Sequence, residues 1–348
     1  MQFIKPDINI DFIGKRKIAF IVSIVIIVIS IASLIMHGGP RLGIDFQGGT
    51  LIQVKFPAAV KIDDIKSGLN TIGLGKSSVQ QFGERQDNEY LIRTDSSVMT
   101  TEGFSTDVKK ALDSETGREA EVRRVEMVGP QVGQDLREKA LFAMFYALLF
   151  ITIYISGRFE LKWLLSGVVA AALIGAVYLF TLFKVSIPFL IAAALLVSIV
   201  LFWFLELKYA MGAIVALIHD VIITVGLFSI FDKEFTLAII AALLTIIGYS
   251  LNDTIIVFDR IRENFRKYHK NPLEVILNRS INETLSRTIL TSLTTLFVVV
   301  TLFVLGGGII HDFAFALIVG VAVGTYSSIF VASPILLAWQ AKQAKKKQ

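Results

Sequence analysis

The chain of 348 residues lacks cysteine altogether, and charged residues make up only 18% of it. Without cysteine there can be no disulfide, no thiolate ligand for zinc and no cysteine nucleophile, although the redox compartment stays undecided. In soluble domains about a quarter of the residues are charged. The low charge of this chain therefore argues against one large soluble core. What the chain has in excess is apolar residues, at 54%, which indicates a membrane protein.

Apolar runs long enough to span a bilayer, which takes about 17–25 residues, recur along the chain. They predict a membrane all-α bundle of about eight transmembrane helices. The runs are Ile18–Met36, Ala140–Ile155, Trp163–Phe183, Ile187–Leu205, Tyr209–Phe231, Phe235–Phe258, Thr288–Leu305 and Phe313–Trp339. The first run is too long for a cleaved signal and lacks a small-residue cleavage site, so we interpret it as a retained anchor.

Lysine and arginine cluster in every second connection, and such clusters mark the cytoplasmic side. They lie before the first run, at 158–162, across 260–287 and in the terminal Lys342, Lys345, Lys346 and Lys347. Both termini are therefore predicted to be cytoplasmic. The predicted division is 1–36 for the N-terminus and first helix, 37–136 for an extracytoplasmic head, 137–340 for the bundle and 341–348 for a basic cytoplasmic tail.

The head has the periodicities of an α+β domain. Alternating or short apolar stretches predict strands, and spacings of three and four predict helices. In chain order the predicted elements are a strand at Gly48–Phe56, a helix at Ile62–Ile72, strands at Val79–Phe82 and Tyr90–Ile92, a helix at Phe104–Leu112 and a strand at Ala120–Met127. This order is that of a ferredoxin-like α+β domain.

Ionisable residues inside the predicted spans cost about 2.5–3.5 kcal/mol each on insertion scales, so they are candidates for function. His219 and Asp220 fall near the middle of the fifth run, and Asn252-Asp253-Thr254 lies in the sixth. Arg287 stands where the seventh run begins, followed by Thr288, Thr291 and Ser292 on neighbouring turns.

Two interpretations of Asp253 and Arg287 stay open on these residues alone. An aspartate balanced between burial and a nearby arginine can take up and release a proton as water access changes. The same two residues can also form a static ion pair that holds two helices together. For His219 and Asp220 the pattern favours a structural polar contact between helices, with a supporting role at most.

The remaining features indicate packing and lipid contact. Ala316, Gly320, Gly324 and Ser328 form a small-residue stripe typical of close helix packing. The basic stretch 260–270 faces anionic lipid in the simplest interpretation, and no nucleic-acid module accompanies it. No metal-binding or hydrolase motif is present, so neither a metal site nor a membrane enzyme is predicted.

Six motifs stand along the chain, at Gly43–Thr50, Val128–Gly133, Ala216–Thr224, Gly248–Thr254, Asp259–Asn264 and Thr284–Thr288. Together they resemble the SecF family of bacterial protein-export membrane proteins. The resemblance covers nearly the whole chain outside one region. The family's intramembrane aspartate falls on Asp253 and its arginine on Arg287, which favours the proton-coupled interpretation of the pair.

The resemblance implies a non-enzymatic subunit of the cytoplasmic (inner) membrane, related to the proton-driven exporters of the RND superfamily. Its implied partners are a SecD-like subunit, a SecYEG-type channel and a translocating unfolded polypeptide. Its implied energy source is the proton gradient, with no cofactor. Within this scheme Asp253, Arg287 and Asn252 are the proton-coupling residues, and Asp220, His219, Thr254 and Thr291 are supporting polar residues.

The chain departs from the family at one place. SecF-like chains have six spans, and here two extra apolar runs at 163–205 predict an inserted helical hairpin for packing or partner contact. A self-contained exporter of small molecules is the alternative from another class. It would need two transmembrane halves and two external domains in one chain, and this sequence has one of each.

Overall fold

The computed structural model describes residues 8–83, 87–94, 103–160, 163–182 and 187–346. Its helices are α1 (Arg16–Met36), α2 (Ile44–Gln47), α3 (Ile62–Thr71), α4 (Phe104–Thr116), α5 (Pro130–Glu160), α6 (Trp163–Leu182), α7 (Ile187–Phe204), α8 (Lys208–Ile230), α9 (Leu237–Lys267), α10 (Leu273–Leu305), α11 (Gly307–Ser327) and α12 (Ser333–Lys346). Its strands are β1 (Gly49–Lys55), β2 (Ser78–Phe82), β3 (Glu89–Thr94) and β4 (Glu121–Val128).

The strands form one antiparallel sheet in the order β2-β3-β1-β4. Alternate side chains of β1, such as Ile52 and Val54, are fully buried against α3 and α4, where Leu69 and Leu112 complete the core. The opposite residues of β1 stay partly exposed, as the period of two requires. The order of elements predicted for the head is confirmed, whereas the short helix α2 was not predicted.

Six helical segments are long and apolar enough to cross a membrane among the described residues. They are α1, the stretch Pro130–Phe159 of α5, α8, α9, α10 and the segment Ile310–Trp339 that joins α11 to α12. The predicted membrane bundle is confirmed at this level. α6 and α7 occupy the stretch predicted as an inserted hairpin, and the total of eight spans stays a prediction.

Several helices continue beyond the apolar runs. α5 begins at Pro130, inside the range 37–136 predicted for the head, and proline suits a first helical position because it has no N–H to satisfy. α10 begins at Leu273, well before its apolar run at Thr288. α12 continues to Lys346, so most of the predicted tail is helical. Apolar runs mark only the part of a helix that faces lipid or core.

The small-residue stripe brings α11 against α9. A Cβ on Gly324 would lie 2.8 Å from Cβ of Ser250, and one on Gly320 would overlap the side chain of Ile246. The two backbones can therefore approach closely, as small residues at every fourth position allow. A π-helical turn, Ser328–Ala332, begins at the last residue of the stripe and leads into α12.

The base of the head rests on the turn between α8 and α9. Leu42 and Phe235 form an isolated parallel bridge. Next to it, Arg93 of β3 lies 3.1 Å from the carboxylate of Glu234, and Arg41 lies 3.8 Å from the same carboxylate. Arg41 also pairs with Asp232 at 2.8 Å. The head is thus joined to the bundle by ion pairs as well as by the chain itself.

The close approach of α11 and α9 gives a stability prediction. Gly324→Ala should destabilise the protein by about 1–3 kcal/mol, because the added methyl group overpacks against Ser250. Gly248→Ala is the matched control, since a Cβ on that helical glycine meets nothing within 4 Å. Thermal unfolding in detergent measures both variants. Equal unfolding temperatures for the two would contradict the proposed packing.

The ion pairs at the base of the head give a prediction on pH. Burial raises the pKa of Glu234 above its ordinary 4.5; Arg93 and Arg41 oppose the shift, and Asp312 and Asp232 add to it. The folded protein then keeps a proton on Glu234 that the unfolded chain has already lost. The contribution of Glu234 to stability is therefore largest below 4.5 and falls as the pH rises through the raised pKa.

The measurement is the unfolding temperature of the wild type and of Glu234→Gln between about pH 4 and pH 7. The wild type should lose stability relative to the variant as the pH rises, because glutamine does not titrate. Parallel curves across this interval would show that Glu234 has the same pKa in the folded and unfolded chains.

Candidate functional site

The predicted polar residues lie on three helices of the bundle, and a fourth helix packs against all three. His219 and Asp220 are on α8, and Asn252-Asp253-Thr254 is on α9. Arg287, Thr288 and Thr291 are on α10. α11 contacts all three of these helices and adds hydroxyl groups of its own.

Asp253 is buried, with 1% of its surface exposed. Its Oδ2 atom lies 3.5 Å from the hydroxyl of Ser292 on α10, which is a weak hydrogen bond. Its Oδ1 atom has no hydrogen-bond partner among the described residues. The carboxyl group of Asp253 thus retains an oxygen that can bind a proton without first breaking a contact.

Arg287 does not form an ion pair with Asp253 among the contacts of the described chain, although it lies within electrostatic reach of it. The side chain of Arg287 is exposed, and so is that of Asn252, whereas Thr254 is buried. The phase of α10 explains the position of Arg287. Successive helical residues are rotated by 100°, so a helix that turns Thr288 inward turns Arg287 toward its outer side.

A hydroxyl group of α10, that of Ser292, reaches Asp253. The Ser292 hydroxyl lies 2.6 Å from that of Thr325 on α11. The Thr291 hydroxyl donates to the carbonyl of Arg287 at 2.6 Å and so belongs to the helix backbone rather than to the carboxyl group. The Thr288 hydroxyl is buried and has no hydrogen-bond partner among the described residues. Asp253 and Ser292, with Thr325 bonded to Ser292, therefore form the polar contact where α9, α10 and α11 meet.

Asp220 is equally buried but fully hydrogen-bonded. Its Oδ2 atom accepts from the hydroxyls of Ser250 at 2.5 Å and Ser327 at 2.8 Å. Its Oδ1 atom lies 2.8 Å from Nδ1 of His219. A carboxylate with this many partners links α8, α9 and α11, and removing it would leave several buried polar atoms unsatisfied.

The other ring nitrogen of His219, Nε2, lies 3.1 Å from the hydroxyl of Ser23 on α1. Serine, histidine and aspartate are thus connected in the order found in serine hydrolases. Ser23 is only 4% exposed, however, and its hydroxyl also contacts that of Tyr326 at 3.1 Å. Since Ser23 is enclosed by helices and has no access for a substrate, this connection holds α1 to the bundle.

Ser23, Ser250, Ser327 and Thr325 are the polar residues that the sequence reasoning missed. Single hydroxyls inside apolar runs carry little signal, because each can satisfy itself on the preceding turn of its own helix. Ser250 alone had a usable signal: it lies one turn before Asp253 on the same helix face. No cluster of three or more metal-ligating side chains occurs in the part of the chain that the structure describes.

Two family models match the chain. The one described as protein export membrane protein SecD/SecF, C-terminal, matches residues 107–197 and 172–342. The SecD/SecF GG motif matches residues 34–57. The two stretches of the first match overlap at 172–197, within the region predicted to be inserted.

Named relatives match over almost their whole length. The protein translocase subunit SecF of Calditerrivibrio nitroreducens is 42% identical over 340 residues, which cover 97% of this chain and 96% of the relative. The protein translocase subunit SecF of Vibrio alginolyticus is 41% identical over 336 residues, which cover 97% and 91%.

Two solved structures are also similar. One is SecDF, a translocon-associated membrane protein, from Thermus, with a TM-score of 0.76 and 30% identity over 97% of this chain. The other is SecDF in its super-membrane-facing form, with a TM-score of 0.63 and 30% identity over 100% of this chain. This chain spans 40% of the length of each of those chains.

The contrast between the two buried aspartates gives a prediction. Asp220→Ala should lower the stability by at least about 2 kcal/mol, because each buried group left unsatisfied costs about 1–3 kcal/mol. Asp253→Ala removes one weak hydrogen bond and should cost clearly less. Thermal unfolding of the two variants in the same detergent tests this. If Asp253→Ala is the more damaging, the assignment of Asp220 to structure is wrong.

Proposed function

The chain belongs to the SecF family of Sec protein-export accessory subunits, and we propose that it works with a SecD-like subunit to couple the proton gradient to polypeptide translocation. Asp253 takes up and releases the proton in this proposal. Arg287 and Asn252 tune that step, while Thr254 and the Asp220–His219 pair support the surrounding helices. The SecYEG-type channel and an unfolded polypeptide are the further proposed partners.

The observation that carries the proposal is the state of the Asp253 carboxyl group. A buried charge is expensive in a membrane unless it is paired or hydrogen-bonded. Asp253 has one oxygen without a partner among the described residues and only a weak hydrogen bond on the other. A structural carboxylate in the same bundle, Asp220, has its partners in place. Asp253 is therefore suited to exchange a proton rather than to hold helices together.

The energy available is sufficient for such a step. One elementary charge that crosses a potential of 100 mV yields about 2.3 kcal/mol. That is similar to the cost of about 2.5–3.5 kcal/mol for one charged residue in the middle of a membrane helix. A proton that binds on one side and leaves on the other can thus alternate the bundle between two states.

The exposed side chains beside Asp253 support a SecD-like partner. Arg287 and Asn252 stand on the outer surface of the isolated chain. The helix α10 also presents apolar side chains there, among them Leu290, Leu293 and Phe297. A partner helix that covers this surface would bury Arg287 and Asn252 next to Asp253 and complete the path of the proton.

The proposed orientation follows from the basic residues. The protein is a multi-pass protein of the inner membrane, and we place both termini in the cytoplasm and the head outside it. The strand order β4-β1-β3-β2, with α3 and α4 on one face, supports a ferredoxin-like head. Outside the membrane the head is placed to meet a polypeptide that emerges from the channel.

Substitution of Asp253 tests the proposal. In vesicles that contain this chain, its SecD-like partner and the channel, Asp253→Asn should abolish the part of export that depends on the proton gradient, because asparagine cannot bind the proton. Arg287→Ala should reduce the same part. The measurement is translocation of a reporter polypeptide with and without an imposed gradient.

Asp259→Asn is the matched control for Asp253→Asn, since Asp259 is a partly exposed carboxylate on the same helix that pairs with Arg158 at 2.7 Å. It should keep gradient-dependent export. If Asp253→Asn and Arg287→Ala are both present in the membrane at the wild-type amount and both keep full export, the two residues have a structural role only.

A further inference from the structure

The turn between α8 and α9, residues 231–236, is the place where the head is fastened to the bundle. Phe235 N donates to the carbonyl of Arg41 at 2.7 Å, and Gly43 N donates to the carbonyl of Phe235 at 2.8 Å. These bonds join the segment that leads into the head to the segment that leads into α9. They use backbone atoms, so they set the position of the turn whatever the side chains are.

The head also supplies the cap of α9. The first N–H groups of a helix need acceptors from outside its own ladder, and a side chain at the N-cap usually provides one. Thr236, the N-cap residue of α9, makes no such bond. Instead, Asp45 of α2 accepts from Leu237 N at 2.9 Å, across 192 residues of sequence. A carboxylate here also interacts favourably with the positive end of the helix dipole.

Glu234 fastens the turn to the sheet. It meets Arg93, whose side chain is only 10% exposed and which belongs to β3, one of the two inner strands of the sheet. It also meets Arg41 just before the head. Removing one partner of a partly buried ion pair is costly, because it leaves the other charge without compensation. The turn is therefore tied to the sheet through Glu234 and to α2 through Asp45.

The segment around α2 also contacts α5, the helix that follows the last strand of the head. Gly48 has φ +78°, and a Cβ on it would lie 2.8 Å from Cα of Pro130, the first residue of α5. A Cβ on Gly133 would lie 2.9 Å from N of Gly48. The segment around α2 thus packs directly on the start of α5 while it caps the start of α9.

We propose that Asp45 and Glu234 are positioning residues that transmit movement of α9 to the head. This inference rests on the proposed function, because α9 is the helix that carries Asp253. From Leu237 to Asp253 the helix is continuous over roughly 24 Å, at 1.5 Å per residue, and no proline interrupts it. A displacement of α9 at Asp253 is therefore delivered at its N-terminus, where Asp45 and Glu234 hold it to the head.

Distance measurements on the full chain in lipid nanodiscs test the transmission. The chain has no cysteine of its own, so Ser114→Cys on α4 and Thr301→Cys on α10 can carry the only two spin labels. Both positions are exposed. Asp253→Asn, which imitates the protonated carboxyl group, should shift the distance between head and bundle. Asp45→Ala or Glu234→Ala in the same background should reduce that shift, although the backbone bonds between Arg41, Gly43 and Phe235 remain.

Two variants separate positioning from general damage. Asp45→Asn keeps an acceptor for Leu237 N, since asparagine caps helices as well as aspartate does, and it should restore the shift. Asp64→Ala removes an exposed carboxylate from the first turn of α3 in the same head and should leave the shift unchanged. Glu234→Ala lies in a surface turn, so it provides a folded variant if Asp45→Ala does not fold.

A shift of undiminished size in both Asp45→Ala and Glu234→Ala would overturn the inference, and so would the absence of any shift with Asp253→Asn. The export assay keeps this result separate from the proposed function. If Asp253→Asn loses gradient-dependent export but the shift is undiminished in Asp45→Ala and Glu234→Ala, the proposed transmission is wrong while the proposed function stands. Full export in Asp253→Asn sinks the proposed function.

Discussion

The bundle is organised by the free-energy cost of placing carboxyl groups where water does not reach them. Asp220 meets that cost with three partners, contributed by α8, α9 and α11, and so fixes the relative positions of these helices. Ser250 of α9 and Ser327 of α11 reach the same oxygen of Asp220, and Gly324 lets α11 lie against α9 at that level. Asp253, one turn further along α9, has only the weak bond from Ser292. The hydrogen bonds of Asp220 keep the helices close together. In a looser bundle, water would solvate both aspartates, and the burial of Asp253 would be lost.

The position of α9 connects this centre to the rest of the molecule. Its middle part carries both Ser250 and Asp253, and its N-terminus is capped by Asp45 from the head. A helix is stiff along its axis, so whatever displaces it in the membrane is felt at its end. Long-range coupling requires an element with two arrangements that both sites bias. In this fold α9 is the element that touches both the buried carboxyl group and the head.

The parts of the structure that follow from local patterns could be predicted from the sequence, and the parts that depend on tertiary contact could not. Hydrophobic periodicity predicted the strands and helices of the head. In a strand every second residue faces the core, and in a helix every third or fourth residue does. The small-residue stripe predicted the approach of α11 for the same reason. Asp253 and Arg287 form no ion pair among the described residues, and the sequence left this question open because the answer depends on the rotation of α10, which spacing alone does not fix. The cap from Asp45 lies 192 residues away from its helix, and no local pattern reports such a contact.

The case for a partner beside α10 depends on the polar residues of that surface rather than on the apolar ones. Leu290, Leu293 and Phe297 are exposed, but lipid would cover them as well as a protein does. Arg287 is long and near the end of its apolar run, so it could reach the headgroups and avoid the cost of burial. Asn252 is exposed as well, and its side chain is much shorter than that of arginine. An amide that faces lipid is costly unless it is hydrogen-bonded, and polar side chains of a partner helix would supply such bonds.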